Sequence, residues 1–304
     1  MRVLVTGASG HVGSALLPEL LDAGHEVVGL VRTDAAAEAV AALGAEPLRG
    51  DLDDLDGLKK AAASADGVVH LAFKPLGDGD FAGAVASDLR AVAAIGEALA
   101  GTGKPFVGTT GTMLVSLAGV SGREGTEEDA FPAGPRIDAE NLVIGLADRA
   151  VRSSIVRLAP LVHSPLDRHG FTPTLIAIAR AKGVSAYVGD GSSRWPAVHT
   201  RDAARLYRLA LEKAPAGARL HAIGDEGIAF RDIAGAIGRH LNVPVKSIDP
   251  AETDAHFTYL APFVGVDNHV SSTRTRALLG WEPTHPNWME DLDLGHYFDG
   301  RNAV

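Results

Sequence analysis

Apolar residues in the first half of the chain come in short β-branched runs. Each run is followed by a turn and then by apolar positions recurring every three or four residues. The runs RVLVT (2–6), EVVGLV (26–31), EPLRG (46–50), GVVHLA (67–72), PFVGTT (105–110) and SSIVRLA (153–159) predict strands, and the intervening periodicity predicts helices over 12–23, 35–43, 55–63, 80–100 and 136–149. Strands apolar on both faces and separated by helices need crossover connections, so the pattern predicts an α/β fold with a doubly wound parallel sheet. After about residue 160 the rhythm changes. Helices are predicted over 172–182, 201–213, 230–241 and 272–279, with short strands near 184–188, 197–199 and 219–222. The expected organisation is a sheet domain over 1–162, with 195–222 returning to the sheet. The segments 163–194 and 223–304 then form a smaller, mostly helical C-terminal lobe that would hold a substrate.

Composition narrows the picture. The chain has 304 residues, 46% of them hydrophobic, which is enough for a substantial core. A formal charge of −10 with no basic run argues against nucleic acid as a partner. There is no cysteine, so disulfides and thiolate metal sites are excluded. Apolar runs fall short of a membrane span and begin directly after Arg2, so no membrane association, no signal peptide and a cytoplasmic location are expected. The histidines show no metal-ligand spacing along the sequence, and no catalytic metal is expected.

The sharpest motif is VTGASGHVG at 5–13, where the first strand turns into the first helix. Gly7, Gly10 and Gly13 allow a tight turn and close backbone approach, and the amides from Ser9 through His11 and Val12 face a diphosphate at a helix N-terminus. A dinucleotide is therefore expected here. An acid that would accept from a ribose 2′-hydroxyl is replaced at the second strand end by Arg32, which would favour a 2′-phosphate and hence NADP(H), with NAD(H) as the alternative. Asp34 reads as a helix N-cap. Asp51 would either receive the adenine amino group or cap the helix that starts near residue 54.

The glycine loop, GDL at 50–52, VVHLA at 68–72, PFVGTT, RLAP at 157–160 and GDGSSRWPAVHTRDAA at 189–204 occur in the order of an extended short-chain dehydrogenase/reductase. The chain resembles an NAD-dependent epimerase/dehydratase-type protein of the atypical branch. The resemblance implies further cofactor contacts at Leu52, Leu71, Ala72, Thr109 and Pro160. It also implies a catalytic Ser or Thr after the fifth strand, matched by Thr110 with Thr112 beside it, and a Tyr-x-x-x-Lys on the next helix. That last pair is missing: Arg136 stands at the lysine and Pro132 at the tyrosine. Arg136 can hold a ribose or an anionic group but cannot donate a proton; the alternative is an exposed i, i+4 pair with Glu140.

A proton would then come from elsewhere. His163, beyond the sixth strand, is the candidate acid, and Tyr187 and Trp195 are candidate pocket walls. Tyr259 is a reserve donor, whereas His70 and His199 read as structural. The expected activity is NADP(H)-dependent reduction of a C=O, C=N or activated C=C bond in a small, fairly apolar substrate. A nucleotide-sugar epimerase/dehydratase and a non-enzymatic NADP-binding redox sensor are the alternatives. Relatives of this fold can dimerise through the helices after the third and fourth strands, which leaves a homodimer open.

Overall fold

The computed structural model describes residues 1–74 and 80–299. Seven parallel strands form the central sheet: β1 (Arg2–Thr6), β2 (Glu26–Val31), β3 (Glu46–Arg49), β4 (Gly67–His70), β5 (Pro105–Gly111), β6 (Arg152–Leu158) and β10 (Ala218–Ala222), in the order β10-β6-β5-β4-β1-β2-β3. From β1 the chain steps outward through β2 and β3, then crosses back to lay β4 on the other side of β1. The reversal leaves a crevice beyond the carboxyl ends of β1 and β4, where open α/β sheets take their ligands.

Apolar side chains on both faces explain why the strands are central. Val3 and Val5 pack into one layer with Leu16, Leu17 and Leu20 of α1 (His11–Asp22) and with Leu206 and Tyr207 of α8 (Thr200–Lys213). Leu4 and Val68 pack into the opposite layer with Leu58 of α3 (Leu55–Ser64), Ile95 of α4 (Phe81–Leu99) and Val143 of α6 (Ile137–Gly145). Burying each such side chain contributes about 1.5–3 kcal/mol, so the two layers clamp the sheet. Between these elements lie α2 (Asp34–Ala42) and the short α5 (Met113–Leu117).

The C-terminal lobe departs from the expected outline. Besides α7 (Phe171–Lys182), α9 (Phe230–Leu241) and the short helices α10 (Thr253–Phe257), α11 (Ala261–Val264), α12 (Thr273–Leu279) and α13 (Trp288–Asp293), it has two small sheets. One joins β7 (Leu161–His163), β9 (Arg194–His199) and β11 (Asp225–Ala229); the other joins β8 (Ser185–Val188) and β12 (Val245–Ile248). Of the segment 195–222 expected to return to the main sheet, β10 joins it as a strand and α8 packs on its face. The strand at 194–199 pairs instead with β7 and β11. The strands near 184–188 and 197–199 were expected, whereas β7, β11 and β12, of three to five residues, carry no alternation of their own that marks them in the sequence.

Helix starts were also reassigned. Thr33, not Asp34, caps α2 by accepting from the Ala36 amide, and Asp54, not Asp51, caps α3. The helix expected over 136–149 begins at Ile137 and tightens into a 3₁₀ turn over Leu146–Arg149. No described helix is long and apolar enough to cross a membrane.

Gly13 shows how tightly the first turn is folded, because a Cβ there would lie 2.1 Å from the Gly7 carbonyl oxygen. Gly13→Ala is expected to lower stability by about 1–3 kcal/mol through overpacking. Urea unfolding checks this, and an unchanged midpoint would contradict the packing.

Candidate functional site

The turn from β1 into α1 consists of residues 7–10. Gly7 has φ of 69°, and a Cβ on it would stand 2.8 Å from the Ala72 amide nitrogen, so backbone meets backbone across the crevice. Gly10 caps α1 without a side-chain hydrogen bond, which leaves the first-turn amides of His11 and Val12 for an outside acceptor. In front of the turn lies a cavity of about 200 Å³, whose walls include Gly7, Ser9, Gly10, Arg32, Asp51, Leu52 and Ala72. The fold thus gathers residues from four separate strand ends that were expected to hold a dinucleotide. Leu71 and Pro160 follow β4 and β6, and Thr109 lies within β5 two residues before its end; all three are outside that wall.

Arg32 makes no hydrogen bond or ion pair among the described residues. Asp34 turns instead toward Arg49 at 3.5 Å, and Asp51 accepts from the Asp53 amide. The donor set therefore fits a dinucleotide: free helix amides for a diphosphate, a cation at the second strand end and a carboxylate at the third.

A buried polar line runs from this turn to Arg136. Thr6 Oγ1 accepts from the Ala72 amide and lies 2.8 Å from His70 Nδ1, while His70 Nε2 is 3.2 Å from Asp88 Oδ1. The neutral tautomer satisfying both contacts puts the proton on Nε2, facing the carboxylate, with Nδ1 accepting from the Thr6 hydroxyl. Asp88 Oδ2 then accepts from Arg136 Nη1 at 3.1 Å, Arg136 Nη2 donates to the Thr109 carbonyl at 2.6 Å, and the guanidinium carbon sits 4.1 Å from the centre of the Phe73 ring. Burial pulls the Arg136 pKa down while the Asp88 carboxylate works against that shift.

The exposed Arg136–Glu140 pair does not occur, because both residues turn inward to different partners. Glu140 accepts from Arg157 through both oxygens, at 2.9 and 2.5 Å, and from Arg219 at 2.8 Å. Burial pushes its carboxyl up, but the two arginines outweigh that and hold it below the usual carboxylate range. Thr110 belongs to this cluster. It is 3% exposed and donates its hydroxyl to Glu140 at 3.0 Å, so in this arrangement it has no hydrogen to offer a reacting oxygen. Thr112 is likewise buried and donates to Asn268.

His163, expected as the acid, is 1% exposed and bonded through Nδ1 to Asp291 at 3.0 Å. Its ring is packed edge-on against His199, which corrects the picture of a loop histidine facing a substrate. Trp195 is fully buried between Phe171 and Phe230 in the lobe core and forms no open wall. Tyr187 is half-buried against Gly191, and Tyr259 is exposed and paired with Thr174.

His199, Asp202 and His285 are distant in sequence yet bring ligand-type atoms within 4.8 Å of one another. Asp202 already accepts from the Thr284 amide, the His285 amide and the His285 ring, and the two imidazoles are stacked 5° from parallel. Parallel rings send their lone pairs side by side rather than to one point, so this group anchors the lobe.

Sequence reading missed Asp88, Phe73 and Lys74. A signal for Asp88 existed: it falls on the apolar stripe of α4 with Ala84, Ala91, Val92 and Ile95, and an acid there needs a buried partner. Phe73 and Lys74 follow β4 with no pattern of their own, yet both line the cavity.

A glycine turn at the reversal point of a parallel sheet defines the dinucleotide-binding class of α/β proteins. Within that class, the NAD dependent epimerase/dehydratase family matches residues 3–127, and the chain belongs to this family. It is 47% identical over 301 residues to an uncharacterised protein of Schizosaccharomyces pombe, covering 98% of this chain and all of the relative. A 2-alkyl-3-oxoalkanoate reductase of Stenotrophomonas maltophilia is 28% identical over 72% of this chain and 67% of its own length. The fold matches that of dTDP-glucose 4,6-dehydratase from Streptomyces venezuelae, solved with NAD bound, with a TM-score of 0.79 and 18% identity over 99% of this chain and 98% of that one. Names in the family point to NAD(P)-dependent oxidoreductases and epimerases of the extended short-chain dehydrogenase/reductase type.

Removing Glu140 would leave Arg157, itself 1% exposed, as an uncompensated buried charge. Glu140→Ala is therefore expected to cost about 3–5 kcal/mol, read as the shift in urea unfolding; a loss below about 1 kcal/mol would match an exposed pair instead.

Proposed function

We propose that the protein is an NADP(H)-dependent oxidoreductase that reduces a C=O, C=N or activated C=C bond in a small, fairly apolar substrate. The observation that carries this reading is Arg32, a cation on the wall of the glycine-turn cavity that pairs with no other side chain among the described residues. A 2′-phosphate would meet that guanidinium and form charge-assisted hydrogen bonds.

In this reading the amides of His11 and Val12 hold the diphosphate, Asp51 accepts from the adenine amino group, and Leu52, Leu71 and Ala72 border the adenosine. Thr109 and Pro160 flank the nicotinamide side, where Arg136 orients the ribose. When bound, the dinucleotide supplies the hydride. The chain's own contribution near the reacting bond is chiefly positional. Arg136 is matched by Asp88, so the pair presents no net charge, which suits a neutral substrate over an anionic one. Thr110 can donate to a developing negative charge only by leaving Glu140, and His163 only by leaving the lobe interior. Water is therefore the favoured proton source, and bonds that reduce without a strong acid, such as imines and enones, suit the site best.

Arg32→Glu is expected to weaken NADPH binding by roughly 10- to 100-fold, the worth of a charge-assisted contact, while changing NADH binding less than about 3-fold. Calorimetric titration checks this; equal losses for both would remove the NADP preference. Oxidation of NADPH is expected with some member of a panel of ketones, aldehydes, cyclic imines and enones. Binding without turnover of any of them would favour the redox sensor.

A further inference from the structure

Behind the glycine turn lies a cluster of titratable groups that the proposed reaction leaves unused. His11 is the first residue of α1, so it supplies one of the free amides and also an imidazole. That ring points inward: Nε2 is 2.6 Å from Thr200 Oγ1 and Nδ1 is 3.6 Å from Asp167 Oδ1. Thr200 has already spent its hydrogen on the His163 carbonyl and accepts from Ser164. Toward His11 it can therefore only accept, which puts the proton of a neutral His11 on Nε2 and turns the bare lone pair of Nδ1 toward Asp167.

Asp167 is fully buried; it accepts from the Gly170 amide at 2.8 Å and from the Tyr297 hydroxyl at 3.2 Å, and no lysine or arginine contacts it among the described residues. With Asp167 ionised and His11 neutral, two acceptors face each other across 3.6 Å. A single proton between them relieves the conflict, on whichever of the two it resides.

We propose that His11 and Asp167 form a proton-carrying part of the diphosphate site, and that dinucleotide binding is accompanied by proton uptake at this pair. The inference rests on the dinucleotide-binding reading above and deepens it. A diphosphate placed on the His11 amide brings negative charge beside the ring and raises the proton affinity of the pair. Burial supports the direction, because it raises Asp167 to about 7 and lowers His11 to about 4, with His163 and His199 adding to the latter. The other groups facing the pair are Asp291, which also raises Asp167, and Tyr297. The sign follows: the free pair loses its proton as pH rises through about 7, the occupied pair keeps it to higher pH, and affinity falls between the two.

The test is calorimetric titration of NADPH at pH 7.5 and 8.5 in two buffers of different ionisation heat, above the range near pH 6 where a phosphate monoester finishes titrating. Wild-type protein is expected to take up roughly half a proton per cofactor at pH 7.5 and to lose about two- to threefold in affinity by pH 8.5. His11→Gln, which keeps the backbone amide, should abolish the uptake. Asp167→Asn, which imitates the protonated carboxyl, should abolish it and bind NADPH more tightly than wild type at pH 8.5. Buffer-independent heats in wild type, or uptake that persists in His11→Gln, overturn the inference while leaving cofactor binding intact. Absence of binding by both NADPH and NADH overturns it together with the reading beneath it.

Discussion

A guanidinium keeps its proton inside a protein, so packing arginines behind the carboxyl edge of this sheet obliges the chain to bury carboxylates beside them. Arg157, projecting from β6, meets Glu140 of α6, and Arg136 meets Asp88 of α4. Both acids lie on helices covering the same face of the sheet. The ion pairs therefore fix how those helices sit over the strand ends more sharply than interchangeable apolar contacts could. Their net contribution to stability is smaller than their geometry suggests, because the desolvation of each charge offsets most of the attraction. What they specify is position.

Arg136 bears the consequence. It precedes the first turn of α6 in a left-handed conformation, with φ of 66°, at a cost on the order of 1–3 kcal/mol for a residue with a Cβ. Asp88, the Thr109 carbonyl and the face of Phe73 together hold it there. A side chain restrained on three sides, one of them a backbone carbonyl of the strand beside the crevice, is pre-set for orienting a ligand and poorly placed for moving far. The relay through His70 and Thr6 ties that position to the β1 turn, so the two ends of the crevice share one buried hydrogen-bonded line.

The sheet was legible in the sequence because its signals are local and repeated. Val3, Val5, Val27, Val68, Val69, Phe106 and Val107 recur as apolar runs between helical periods, and each became a central strand position. Gly7 and Gly10 were legible because a turn between strand and helix constrains backbone more than side chain. The site's charges were not, because their partners lie far away in sequence: Arg157 finds Glu140 17 residues back, and Arg136 finds Asp88 at a separation of 48. A helical wheel of α4 would have exposed Asp88 as a buried acid, yet nothing local could have named its partner. His163 misled for the same reason, since its partner Asp291 lies 128 residues on. Thr110 was placed correctly along β5, but its hydroxyl is directed by Glu140, a residue on another element.

The lobe is joined to the sheet domain through polar groups as well as through apolar cores. At the start of α8, Asp202 accepts from the amides of Thr284 and His285 and its carbonyl takes the Trp281 indole, while Thr200 joins His11 to His163 and Ser164. One helix start thus touches the first residue of α1, the strand β7 that opens the lobe and the segment 281–285. Buried hydrogen bonds tolerate little displacement, since a shift of about 1 Å leaves donors unmatched and costs about 1–3 kcal/mol for each. The lobe therefore has a defined seat against the turn. Any ligand that alters charge at the His11 amide acts on the same residue whose ring helps to hold that seat.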